Sequence, residues 1–277
     1  MWRRATLFIL VLLASMSCAV KKETLAERLR DGKLTIDEAY VQGMRKIQKR
    51  KYQEARQWFR IIETHAPNSK YFSEAKLRIA DSYFFDKMST YIEASVEYKS
   101  FLTHFPTHPK ADYCLYQYAM CFFTEIENAE RDQTSTWTAY TEFKNLIDRY
   151  PKSVYAEKAR EKIGLCQMRL AEHEFKVGHY YYRRGRGFEQ SAENRFKGII
   201  DNYESHFDPE KTYFYLAETL WRREKYKEAH TYYVYLEKNH PDSEYRPFII
   251  DKLARWERIQ EDGVDPGAID GESDPIR

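Results

Sequence analysis

Past residue 13 this chain has no long apolar run, and it has few cysteines, little glycine and no excess of either charge. Each shortage excludes something. A membrane-crossing helix takes about 20 apolar residues, and the one unbroken stretch, Leu7 to Leu13, is far shorter. Four cysteines, at positions 18, 114, 121 and 166, do not make a disulfide framework. Cys114 and Cys121 are seven apart on an expected helix, about 10.5 Å along its axis, which is too far for a bridge. The last three cysteines therefore read as buried free thiols. Ten glycines form no phosphate cradle, and neither a G-x-S-x-G elbow nor an H-E-x-x-H pair is present. His104 and His108 are four apart, but Pro106 and Pro109 make that segment a turn and not a metal-binding helix face. His173 and His179 point to different faces of a helix. Glu125, Glu127 and Glu130 read as solvated carboxylates. No catalytic constellation emerges, and the chain reads as a binding protein and not an enzyme.

The start of the chain reads as an export leader. Arg3 and Arg4 give a basic region, and the Leu7–Leu13 run is the apolar region that follows. Ser15, Met16, Ser17 and Cys18 resemble a bacterial lipobox, with Ser15 where an aliphatic residue is usual. On this reading residues 1–17 are a lipoprotein signal peptide and Cys18 carries a covalent lipid, the only attached group expected. Buried acyl chain is worth about 0.8 kcal/mol per methylene, so a multiply acylated Cys18 holds the chain to a bilayer. Removing the leader removes two of 45 basic residues against 43 acidic ones, which leaves neutrality. Neutrality gives no reason to expect nucleic acid or an anionic surface as partner.

What the sequence does contain is a repeat. Ala55, Phe59, Ile62 and Pro67 recur as Ala94, Tyr98, Phe101 and Pro106. They recur again as Ala139, Phe143, Leu146 and Pro151, and as Ala229, Tyr233, Leu236 and Pro241. A weaker copy has Ala192, Phe196 and Ile199, with Glu204 in the proline position. Successive alanines lie 39, 45, 53 and 37 residues apart. Twelve positions ahead of three of these alanines stand Gly43, Ser82 and Ala217. A small residue, an aromatic one turn on and a terminating proline make the second helix of a tetratricopeptide unit. The small residue lets two helices approach, and the aromatic fills the space between pairs. The expected fold is all-α, a right-handed superhelical solenoid of five tetratricopeptide-like helix pairs.

Taken in order, 18–34 reads as a lipidated tether and 35–260 as the solenoid, with N-terminal repeats over about 35–122 and C-terminal repeats over about 123–260. Thr35 and Glu38 are placed to cap the first repeat helix. The 45-residue spacing reflects extra sequence between Phe122 and Thr136, and Glu125 to Ser135 reads as a loop or an extended helix end. Lys158 to Val177 is a helical pattern longer than a standard repeat helix, and added turns of this kind are often binding surfaces. Tyr180 to Phe188, YYYRRGRGF, would suit stacking on single-stranded nucleic acid. Neutral charge and export favour a helix end turning through Gly185 and Gly187 instead. The acidic segment 261–277, rich in glycine and proline, reads as a disordered tail.

The residues support a more specific comparison. Phe105 to Tyr113, FPTHPKADY, followed by Leu115 and Tyr116, resembles a motif between the second and third repeats of the BamD family of outer-membrane β-barrel assembly lipoproteins. Arg131-Asp132, the helix ending in YPKSVY at Tyr155, and RLAEHEFKVGHYYYRRGRGF resemble it in the same order. The resemblance runs from about Thr35 to Ser243 and implies a lipoprotein on the periplasmic face of the outer membrane. It also implies partners: the periplasmic domain of the barrel subunit, unfolded outer-membrane proteins and other assembly lipoproteins. Carried onto this chain, Tyr71, Phe72, Tyr83, Tyr91 and Tyr113 become candidates for a peptide groove, although each also suits packing between repeats. Arg183, Arg184 and Arg195 become candidates for partner docking, although a solvated helix face accounts for them equally. The rival expectation is a periplasmic repeat lipoprotein for pilus secretin assembly or cell-wall coordination, which lacks the FPTHPKADY segment.

Overall fold

The computed structural model describes residues 23–203 and 207–262. The leader, Cys18, the first residues of the tether, Glu204 and the acidic segment past Asp262 lie outside the described residues. The described residues fall into two compact units, divided between Lys87 and Met88. That line differs from the one near residue 122 suggested by the repeat pattern.

The first unit contains α1 (Leu25–Arg30), α2 (Ile36–Gln48), α3 (Tyr52–His65) and α4 (Phe72–Phe85). Thr24 with Glu27, and Thr35 with Glu38, each form a reciprocal cap that satisfies two backbone donors. The described end of the expected tether is therefore partly folded. Leu25 and Leu29, one turn apart, lie against the core around Phe59, and Leu34 is buried with it. α2 packs on α3 and α3 on α4. Ala39, Ala55, Phe59, Ile62, Ala75 and Ile79 are all fully buried. Gly43 is required by that packing, because a Cβ there would stand 2.7 Å from the Phe59 ring.

The second unit contains α5 (Tyr91–His104), α6 (Ala111–Phe123), α7 (Thr134–Arg149), α8 (Val154–Arg184), α9 (Glu189–Tyr203), α10 (Pro209–Arg222), α11 (Tyr226–Asn239) and α12 (Arg246–Asp262). Each of these helices packs on the next in the chain. Across both units, the alanine, the aromatic and the apolar residue at +7 are buried in all five copies, with no more than 1% exposure. The helices are all-α repeat pairs of the kind the spacing predicts, and the described residues contain no strand.

Proline sets the geometry of the turns. The residue before it is driven out of the helical region by the ring. Ala66, Phe105, Tyr150 and His240 accordingly share φ between −139° and −131° and ψ between 55° and 59°. Each still donates its N–H to the carbonyl of the +7 residue, Ile62, Phe101, Leu146 or Leu236. Each also accepts from the residue three further on, Ser69, His108, Ser153 or Ser243.

A second recurring device joins alternate helices. The second residue of α2, α6 and α10 is a carboxylate: Asp37, Asp112 or Glu210. It accepts a 2.6 Å hydrogen bond from Tyr71, Ser153 or Ser243, which stand just ahead of α4, α8 and α12. Ser153 also caps α8 by accepting from the N–H of Tyr155 at 3.0 Å.

The extra sequence between α6 and α7 is an ordered loop, not a helix extension, up to Gln133. Gln133 Nε2 donates to the carbonyls of Asn128 and Arg131, and its Oε1 accepts from Thr136. Ala129 is buried, and its carbonyl meets His173 Nδ1 at 2.7 Å. Cys114, Cys121 and Cys166 are buried thiols outside any disulfide, and burial pushes the Cys121 and Cys166 thiols up to about 12. No described helix is long and apolar enough to cross a membrane.

Candidate functional site

The five groove candidates are all half-buried. Three belong to the first unit. Tyr71 stacks on Tyr40 with centroids 4.3 Å apart, and its hydroxyl donates to Asp37. That bond, with help from Lys70, holds the Asp37 carboxyl below its ordinary range. Lys76 lies 5.8 Å over the Phe72 ring, and the Arg56 guanidinium lies 4.3 Å over Tyr83. Arg56 is in turn tied to Asp86 at 2.9 Å and to the Ser82 carbonyl at 3.0 Å. Tyr71 and Tyr83 therefore combine packing with a partly open ring. In the second unit, Tyr113 leans on Tyr155 with centroids 5.6 Å apart and accepts from Gln117. Tyr91 stands at the start of α5.

The basic candidates separate into two places. Arg183 and Arg184 end α8, a 31-residue helix about 46 Å long. They line an open pocket of about 550 Å³ with Glu130, Phe175, Lys176, His179 and Tyr180. The helix stops because Gly185 and Gly187 take φ of 70° and 90°, values that favour glycine. Arg222 approaches that helix end, donating to the Tyr182 carbonyl at 2.8 Å with its guanidinium 3.7 Å from the Tyr182 ring. YYYRRGRGF is thus a helix end. Arg184 lies 5.6 Å over Tyr180 and 5.1 Å over Phe188. Arg195 instead holds both carboxylate oxygens of Glu174 at 2.8–2.9 Å, away from the pocket.

The inserted loop supplies one wall of this pocket. Glu130 reaches Lys176 at 2.9 Å, and Lys176 also meets Glu172 at 3.7 Å. His179 lies near-parallel to Phe175 and meets the Tyr215 ring edge-on at 4.8 Å. Burial lowers its pKa, with Arg183 and Lys211 adding to the shift, so the neutral imidazole is favoured. Phe175, Lys176 and His179 lie outside the candidates that the sequence offers for the site. The signal available for them was the unusual length of the helical pattern they sit on.

The described residues thus form an all-helical repeat protein in which an aromatic-floored pocket at the end of α8 is edged by Arg183 and Arg184. Among the described residues no group of three or more His, Cys, Asp or Glu could hold a metal ion. The family model described as "YfiO: Outer membrane lipoprotein" matches residues 33–219, and the chain belongs to that family. The residue motifs FPTHPKADY and YPKSVY fall inside the matched span.

Among curated relatives, "Outer membrane protein assembly factor BamD" of Caulobacter vibrioides is 28% identical over 212 residues, 76% of this chain and 67% of the relative. The protein of the same name from Rickettsia prowazekii is 27% identical over 206 residues, 74% of this chain and 80% of the relative. That of Neisseria meningitidis serogroup B is 25% identical over 234 residues, 80% and 86% of the two chains. The BamD resemblance read from the motifs therefore holds. Among solved structures, a thermophilic TPR protein of Thermus thermophilus is similar with a TM-score of 0.37 and 16% identity. The match covers 79% of this chain and 100% of that protein.

Proposed function

We propose that this chain is a non-enzymatic scaffold of the outer-membrane β-barrel assembly machinery. The observation that carries the reading is the family match over residues 33–219, within which relatives across several bacteria are named assembly factors. A covalent lipid on Cys18 holds the chain at the periplasmic face of the outer membrane. The half-buried aromatics Tyr71, Phe72 and Tyr83 in the first unit, and Tyr91 and Tyr113 in the second, receive segments of unfolded outer-membrane proteins. Partly open rings suit this role because tyrosine supplies apolar area together with a polar tip. Arg183 and Arg184 meet carboxylates on the periplasmic domain of the barrel subunit, and other assembly lipoproteins complete the complex. Binding, without turnover, promotes folding and insertion of the client.

Co-isolation from detergent-solubilised envelopes tests the reading. A β-barrel protein that co-elutes with the tagged chain supports it. A co-eluting pilus secretin, or no outer-membrane partner, overturns it.

A further inference from the structure

The pocket at Arg183 and Arg184 is one end of a longer feature. Glu161, Gly164, Leu165, Met168, Glu172, Phe207 and Asp208 line a second open pocket of about 650 Å³. The α8 residues of the two pockets recur at spacings of three and four, which is one face of one helix. From Glu161 to Arg183 that face runs about 33 Å. The pockets adjoin, since Phe207 of one and Phe175 of the other have ring centroids 5.3 Å apart. Leu165, Met168 and Tyr180 on this face are 41%, 49% and 54% exposed.

The charges along the face have a direction. Among the described residues its early half is lined by Glu161, Glu172 and Asp208 with no cation, and its late half by Lys176, Arg183 and Arg184 against the carboxylate of Glu130, which Lys176 pairs at 2.9 Å. Where the halves meet, Glu172 lies 3.7 Å from Lys176, while its nearer partner is Arg169 at 2.7 Å. Arg183 and Arg184 make no ion pair among the described residues.

We propose that this face of α8 is an oriented track for a partner polypeptide segment, apolar in its middle, basic at one end and acidic at the other. The basic end lies over Glu161, Glu172 and Asp208, the apolar middle covers Leu165, Met168 and Phe207, and the acidic end reaches Arg183 and Arg184. Reversal would set like charges against each other at both ends, so the track selects direction as well as composition. The proposal rests on the scaffold reading and adds the chemistry of the docked segment.

The probe is a fluorescein-labelled peptide of about ten residues, long enough to span the track when extended. It has lysines at one end, leucines and phenylalanines in the middle, glutamates at the other end, and a photo-cross-linking residue beside the lysines. Titrated into the mature full chain, it binds, and its cross-links map to residues 161–172. Leu165→Ser with Met168→Ser, and separately Arg183→Glu with Arg184→Glu, each weaken binding about tenfold or more. All four positions are on an open face, and unchanged circular dichroism and melting confirm that the variants fold.

Three results overturn the track. They are absence of binding, cross-links at 175–184 or elsewhere, and equal affinity for a peptide with glutamates at both ends. Wild-type protein isolated from envelopes in parallel keeps the two ideas separate. A co-eluting β-barrel protein without peptide binding removes the track alone, and absence of that protein removes the scaffold reading.

Discussion

Gly178 of α8 lies beneath the ring of Phe196 on α9 so closely that a Cβ at Gly178 would stand 2.9 Å from Phe196 Cε1. Gly43 stands in the same relation to Phe59 in the first unit. The aromatic four residues past the repeat alanine thus presses on the neighbouring helix, and only a small residue fits beneath it. Backbone approach, not conformational freedom, keeps both positions glycine.

Overpacking of this kind costs about 1–3 kcal/mol. Gly178→Ala and Gly43→Ala are each expected to lower the unfolding free energy, measured by urea denaturation, by an amount in that range, and Gly178→Val by more. Gly198, where a Cβ meets nothing within 4 Å, is the control, because Gly198→Ala in the interior of α9 should stabilise by about 0.5–1 kcal/mol. Equal effects at positions 178 and 198 would contradict the packing argument.

Two non-glycine residues hold the left-handed conformation at equivalent turns, Arg50 between α2 and α3 (φ 54°) and Glu224 between α10 and α11 (φ 61°). Each stands five positions before a repeat alanine, where the fourth copy has Gly187 at φ 90°. A side chain there costs about 1–2 kcal/mol, partly offset by the greater freedom glycine has when unfolded. Arg50→Gly is expected to raise stability by about 0.5–1 kcal/mol, measured by urea denaturation. A loss of stability would show that the Arg50 side chain contributes more than its backbone strain removes.

Glu193 is buried on α9 and is met by three cations. Lys197 approaches at 2.8 Å and Lys225 at 2.9 Å, and Arg223 is also paired to it. Glu193→Gln leaves those cations without their shared anion. They retain access to water, with side chains 22–35% exposed, so the loss should stay below the roughly 3–5 kcal/mol of a fully buried pair. A decrease of about 1–3 kcal/mol in denaturant unfolding is expected, and no change would show that the cluster is held by packing alone.

Glu63 gives a pH test in the first unit. Burial by itself would raise its pKa, but hydrogen bonds from Lys76 and Arg60 outweigh burial and lower it. A carboxylate depressed in the folded state contributes stability above its unfolded value, about 4.3, and loses it as pH falls through the folded value. Wild type should therefore be more stable than Glu63→Gln at about pH 7, with the gap narrowing on acidification below about pH 4. A constant gap across that range would exclude the linkage.

The alanine–aromatic–proline pattern was legible because each residue does a local job: close approach, filling and termination. Gly178 is out of register with Gly43, Ser82 and Ala217 because it stands fourteen residues before its repeat alanine, Ala192, where those three stand twelve before theirs. The 2.6 Å bonds from Tyr71, Ser153 and Ser243 to Asp37, Asp112 and Glu210 join residues 33–41 apart, and no local pattern announces them. α1 is six residues long, below the length at which helical periodicity is readable. Of the basic candidates, Arg183 and Arg184 reach an open pocket, whereas Arg195 is taken up by Glu174. That distinction depends on which face of α8 each residue meets, and it follows from tertiary packing.

The scaffold reading is tested most directly by depleting the chain from cells and measuring folded β-barrel proteins in the outer membrane by their heat-modifiable mobility. The account predicts that newly made barrel proteins fall in the outer membrane and accumulate unfolded in the periplasm. Unchanged barrel levels together with loss of assembled secretin would contradict it.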